Sequence, residues 1–168
     1  MHPSDLASAL LALDATVRLR GSKGERTVPL AQFFALPENG RRRETIIAED
    51  ELLLALEISK PSAGTRSTYF KAMDRKVWAF ALVGVAAMVQ VTDGKVADDR
   101  LVLSGVAPIP WRVIAAEQAL IGVKLEGVAL DRVAATALAD AEPLRHNHYK
   151  ITLAQRLVQR ALTTLFAV

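Results

Sequence analysis

The stretch ALVGVAAMVQVTDGKVADDRLVLSGV, residues 81–106, decides the fold class. Asp93-Gly94 separates two apolar runs. A two-residue Asp-Gly link needs positive φ at its centre and is the preferred closure of a β-hairpin. The spacing predicts strands over Ala81 to Thr92 and Val96 to Val106, ended by Ala107-Pro108-Ile109-Pro110. Just upstream, Thr68 to Met73 reads as a third strand. Downstream, helices are expected over Arg112 to Ile121, Asp131 to Ala139 and Lys150 to Phe166. In the last of these, Ile151, Leu153, Leu157, Val158, Ala161, Leu162 and Leu165 share one face. Strands followed by helices define an α+β layer, three helices on one face of a three-stranded antiparallel sheet.

Working back from that hairpin, Lys60-Pro61-Ser62-Ala63-Gly64 is a boundary of proline, glycine and small polar residues. It divides residues 1–60 from 61–168. In the first part, Ser4 or Asp5 is a candidate N-cap ahead of Leu6, Leu10, Leu11 and Leu13. Thr16 to Arg20 and Glu25 to Leu30 form a hairpin around Gly21-Ser22-Lys23-Gly24, and Leu30 to Phe34 is a helical turn. Pro37-Glu38-Asn39-Gly40 is a loop, and Leu52 to Ile58 reads as a buried strand.

The 168 residues, 51% of them hydrophobic, are enough for a real core. A chain of this length buries roughly 70% of the surface that its unfolded form exposes. The absence of cysteine excludes disulfides, thiolate metal sites and a cysteine nucleophile. The net charge of +3 is spread among acidic residues and does not point to nucleic acid. Arg41-Arg42-Arg43 reads as a solvated loop. No secretory leader is visible, and the apolar run from Trp78 to Val89 is too short to span a membrane. A cytoplasmic protein without membrane contact is the expectation.

Local chemistry is sparse. No GxGxxG or P-loop is present. His146-Asn147-His148 spells a string also found in nucleases, but no acidic and histidine set stands near it, so it reads as a turn into the last helix. The pairs Asp98-Asp99 and Glu49-Asp50 are placed at turns and make poor acid–base pairs. Trp111 and Trp78 read as packing anchors. No catalytic residue and no metal ligand is assigned.

Longer strings carry more. Met1 is followed by His2-Pro3-Ser4-Asp5-Leu6, then by the hairpin with Val28-Pro29-Leu30 and by the leucine-rich stretch from Ile47 to Ile58. These resemble the closing part of the PCMH-type FAD-binding domain in the xanthine dehydrogenase and carbon monoxide dehydrogenase flavoprotein family. Tyr69-Phe70-Lys71, Asp74-Arg75, Phe80 to Val83, Gly105 to Arg112 and Asn147 to Lys150 resemble that family's C-terminal domain. The Gly-Val-Ala-Pro-Ile-Pro-Trp-Arg block is the most specific of these.

The resemblance implies a flavoprotein subunit of a molybdenum hydroxylase-like oxidoreductase. Its partners would be a molybdopterin-binding subunit and a [2Fe-2S] subunit, and electrons would pass through FAD to NAD or another acceptor. The same fold without flavin would serve as an assembly module, and a homo-oligomer is also compatible. In the family the glycine-rich pyrophosphate-binding segments precede the motif at His2. FAD is therefore expected in the complete subunit and weakly, or not at all, in this chain alone. The resemblance also assigns residues. Asp5 matches a carboxylate that hydrogen-bonds the flavin, with Ser4 beside it. Leu53 matches an aliphatic side chain on the isoalloxazine ring, and Ile47 shares that role. Lys71, with Arg75 as the competing choice, matches a lysine that offsets the negative charge of reduced flavin.

Overall fold

A computed structural model describes residues 2–38, 43–124 and 130–167. Asn39 and Gly40 of the expected loop, and Arg41 and Arg42 of the basic run, lie outside the described residues.

Ser4 is the N-cap of α1 (Asp5–Ala12): its side-chain oxygen accepts from the Ala7 N–H at 3.1 Å. Asp5 is the first helical residue, where a carboxylate also meets the positive end of the helix. β1 (Thr16–Gly21) and β2 (Gly24–Pro29) form the expected antiparallel hairpin, followed by the single turn α2 (Leu30–Phe33). β3 (Leu52–Glu57) pairs antiparallel with the other edge of β1, giving the order β2-β1-β3.

The expectation that β3 is buried is wrong. Leu52 is 71% exposed, and Leu53, Leu54 and Leu56 are exposed as well. β3 is an edge strand paired only with β1. Its partners Leu19 and Val17 are fully buried, whereas Leu53 and Leu56 opposite them fall past the rim of the core. A bulge between Arg18 and Leu19 leaves Leu54 without a Cα partner.

The second sheet holds β4 (Thr65–Ala72), β5 (Val83–Thr92), β6 (Lys95–Ser104) and the two-residue β7 (Trp111–Arg112), in that order and antiparallel throughout. Asp93 and Gly94 have φ of 52° and 72°, the paired positive values that a two-residue hairpin demands. The three long strands are those expected, and β7 adds a fourth. Trp111 pairs with Leu103 and Arg112 with Val102, so the helix expected from Arg112 begins two residues later as α3 (Ile114–Leu120). α4 (Leu130–Thr136) and the long α5 (Tyr149–Phe166) complete the chain.

Both faces of this sheet are covered. Val83, Val85, Ala87, Val89, Leu101 and Leu103 point to α3, α4 and α5 in one core. Ala86 and Val102 point the other way, into a second core with Leu10, Leu11, Val17 and Leu19. Burial on both sides explains why β5 reads as a continuous apolar run rather than an alternation. Arg160 lies over the Phe70 ring at 4.6 Å, and the Arg66 guanidinium donates to the Leu165 carbonyl at 3.0 Å, tying α5 to β4.

Two placements differ from expectation. Asp98 and Asp99 lie inside β6, not at a turn. Trp78 is no packing anchor: it is 93% exposed, with φ of 54°, in the link between β4 and β5.

Candidate functional site

The polar cluster on the α1 side of the second sheet joins residues far apart in sequence. Tyr69 and Lys71 alternate with Phe70 on β4, so the two polar side chains leave the face opposite the helices. α1 packs across β5 and β6, which brings its first residue to the same place. The Tyr69 hydroxyl donates to Asp5 Oδ1 at 2.8 Å, and Lys71 Nζ donates to Asp5 Oδ2 at 2.6 Å. Both carboxylate oxygens therefore have a charged or hydroxyl donor, while the Asp5 side chain stays 44% exposed. Burial pushes the Tyr69 phenol well above its ordinary range; the Ser104 hydroxyl acts against this and the Asp5 charge adds to it. The phenol is a proton donor at any physiological pH.

Of the residues expected at a flavin, Asp5 and Lys71 come together directly. Arg75 does not compete: its Nη2 donates to the Trp78 carbonyl at 2.5 Å within its own loop. Ser4 adjoins the cluster as the cap of α1, its oxygen committed to Ala7. Leu53 stands exposed on β3, and Ile47 is half-buried against the second core. No contact of either with Asp5 is seen, so these two are not joined to the cluster. Tyr69 was missed as a site residue. Its place beside Lys71 on an alternating strand was the available signal.

The two sequence blocks that carry the resemblance also touch. The His2 N–H donates to the Pro108 carbonyl at 2.8 Å, so the segment leading into α1 is pinned to the loop before β7. The histidine-rich turn is a helix lead-in: Asn147 Oδ1 accepts from the Leu144 N–H at 2.6 Å. Among the described residues, no group of three or more histidines and carboxylates is placed to hold a metal. On the helix side of the sheet, a cavity of about 430 Å³ opens between β6, β7, α3 and α5, with the half-exposed Trp111 in its wall. It shares no residue with the Asp5 cluster.

The residues present fit a flavin. An exposed carboxylate is an acceptor for hydroxyl or imide N–H donors. An adjacent ammonium suits an electron-rich ring edge.

Residues 1–61 match the FAD-binding domain in molybdopterin dehydrogenase, and residues 68–165 match the CO dehydrogenase flavoprotein C-terminal domain. The chain belongs to the FAD-binding medium-subunit family of CO and xanthine dehydrogenases, whose cofactor is FAD. It is 37% identical to the aldehyde oxidoreductase FAD-binding subunit PaoB of Escherichia coli, over 96% of this chain and 48% of that one. It is 30% identical to the carbon monoxide dehydrogenase medium chain of Hydrogenophaga pseudoflava, over 99% of this chain and 58% of that one. A solved carbon monoxide dehydrogenase of Hydrogenophaga pseudoflava superposes with a TM-score of 0.84 at 32% identity, covering 97% of this chain and 59% of that one. The chain thus spans about half the length of the curated relatives it matches. No helix among the described residues is long and apolar enough to cross a membrane.

Proposed function

We propose that this chain supplies one wall of the FAD site in the flavoprotein subunit of a molybdenum hydroxylase-like oxidoreductase. FAD, when bound, supplies the redox chemistry, while the protein positions it. Asp5 is the acceptor that orients the ligand's hydroxyl or imide donors. Lys71 places a positive charge beside it, and Leu53 and Ile47, which stand apart from this pair, are assigned to the apolar face of the ring by resemblance alone. Ser4 fixes the helix start that carries Asp5. The partners are a molybdopterin-binding subunit and a [2Fe-2S] subunit, from which electrons reach FAD and then NAD or another acceptor.

The observation that carries this reading is the Asp5–Lys71 pair, formed at 2.6 Å between residues assigned separately to the flavin by resemblance. Flavin titration of the purified chain, followed by fluorescence quenching, tests it. Micromolar binding is expected if the wall is sufficient alone, and millimolar or weaker binding if the complete subunit is needed. Failure of the assembled subunit to take FAD would leave a non-catalytic assembly module instead.

A further inference from the structure

The surroundings of Asp5 contain a feature that flavin contact does not require. Behind Tyr69, the backbone of β5 passes at Gly84. A side chain there has no room: a Cβ would stand 2.8 Å from the Tyr69 hydroxyl oxygen and would overlap Ser104 Oγ. Glycine thus keeps open a small space bordered by the Tyr69 and Ser104 hydroxyls. Ser104 is buried, and its hydroxyl has no hydrogen-bond partner. A tyrosine hydroxyl offers one proton and accepts others. With its own proton given to Asp5, Tyr69 Oη keeps lone pairs that can accept from Ser104.

We propose that Tyr69, backed by Ser104 across Gly84, is a positioning residue that fixes the rotamer of Asp5 and thereby places Lys71. This rests on the reading of Asp5 and Lys71 as ligand-facing groups. Tyr69 donates to one Asp5 oxygen and Lys71 to the other, with the unpartnered Ser104 hydroxyl across Gly84 free to turn towards Tyr69. Tyr69 holds Oδ1, so the carboxylate cannot turn both oxygens to Lys71. Lys71 is confined to Oδ2, which fixes the position of its ammonium. Both Asp5 oxygens are satisfied, and a satisfied polar group is held in a single arrangement. The competing view is that Tyr69 merely ties α1 to β4. It predicts a loss of stability that leaves the Lys71 ammonium and the FAD affinity of the folded protein unchanged.

A mutant cycle on FAD affinity in the complete flavoprotein separates the two, together with an NMR measurement on this chain without ligand. In the cycle, Tyr69→Phe raises the FAD dissociation constant about fivefold when Asp5 is present and not at all in an Asp5→Ala background. An equal effect in both backgrounds overturns the proposal. In the ligand-free chain, Tyr69→Phe speeds solvent exchange of the Lys71 ammonium protons at least threefold. An unchanged Lys71 signal overturns the proposal whether or not flavin binds. If the complete subunit takes no FAD at all, the functional reading fails, and the Lys71 signal still decides the positioning role. Ser104→Ala, which retains Cβ, shows the same changes at smaller size. It carries the test if Tyr69→Phe does not fold, and unchanged Lys71 exchange in it removes the Ser104 backing.

Discussion

Asp99 and Glu117 are two buried carboxyl groups within electrostatic reach of each other, and only Glu117 has partners. Asp99 is 3% exposed, and neither of its oxygens accepts a hydrogen bond. Glu117 accepts from the Leu101 N–H at 2.9 Å and from Arg112 Nε at 2.9 and 3.0 Å. The arginines are drawn elsewhere too: Arg100 pairs with Asp14 and Asp98, and Arg112 reaches Asp14 at 3.4 Å.

Burial, and then the charges of Glu117 and Asp98, push the Asp99 carboxyl up to about 7, despite the opposing pull of Arg100 and Arg112. The folded state therefore holds this proton more tightly than the unfolded state. The resulting stability is complete below about pH 4 and is lost as pH rises towards 7, with a slope of up to about 1.4 kcal/mol per unit. Asp99→Asn flattens that slope. Urea unfolding at pH 5, 6, 7 and 8 measures it, and an identical slope in the variant would refute the assignment.

Glu117→Ala strips the Leu101 N–H and the Arg112 guanidinium of their acceptor in a buried place. Removing one partner of a buried charged network costs about 3–5 kcal/mol. Denaturant midpoints should show this. Arg112→Ala, whose side chain is more exposed, should cost less.

Gly84→Ala destabilises by about 1–3 kcal/mol, the usual range for an added methyl group in a filled interior. The obstacles are the Ser104 and Tyr69 hydroxyls, so the cost falls when Ser104→Ala is combined with it. Strictly additive melting shifts in the double variant would show that the obstruction lies elsewhere.

Asp5→Ala weakens FAD in the assembled complex by about 1–3 kcal/mol, the scale of a hydrogen bond to a charged group. Equilibrium titration of the complex gives the value directly. Unchanged affinity would remove Asp5 from the flavin site.

The sequence made the second sheet legible because its signals are local. Asp93-Gly94 sets the turn between β5 and β6, and the apolar stripe of α5 reports its own buried face. β3 misled because leucine content reports the capacity to be buried, not the presence of a cover. Leu52 looks the same in sequence whether or not another layer lies against it. β7 escaped notice because two residues carry no periodicity, and only their pairing with Val102 and Leu103 defines them. At the site, resemblance supplied Asp5 and Lys71 singly. Their union, and Tyr69 between them, depends on α1 lying across β5 and β6, a contact between distant segments that no local pattern encodes.

The second core draws Leu10, Leu11, Val17 and Leu19 from before the Lys60–Gly64 link and Ala86 and Val102 from after it. His2 is also hydrogen-bonded to Pro108 across the same divide. A protease that cuts at the exposed Lys60 would sever the peptide chain without freeing two particles. The pieces would migrate as one under native conditions and part only in denaturant, so a nicked preparation would pass for intact until run on a denaturing gel.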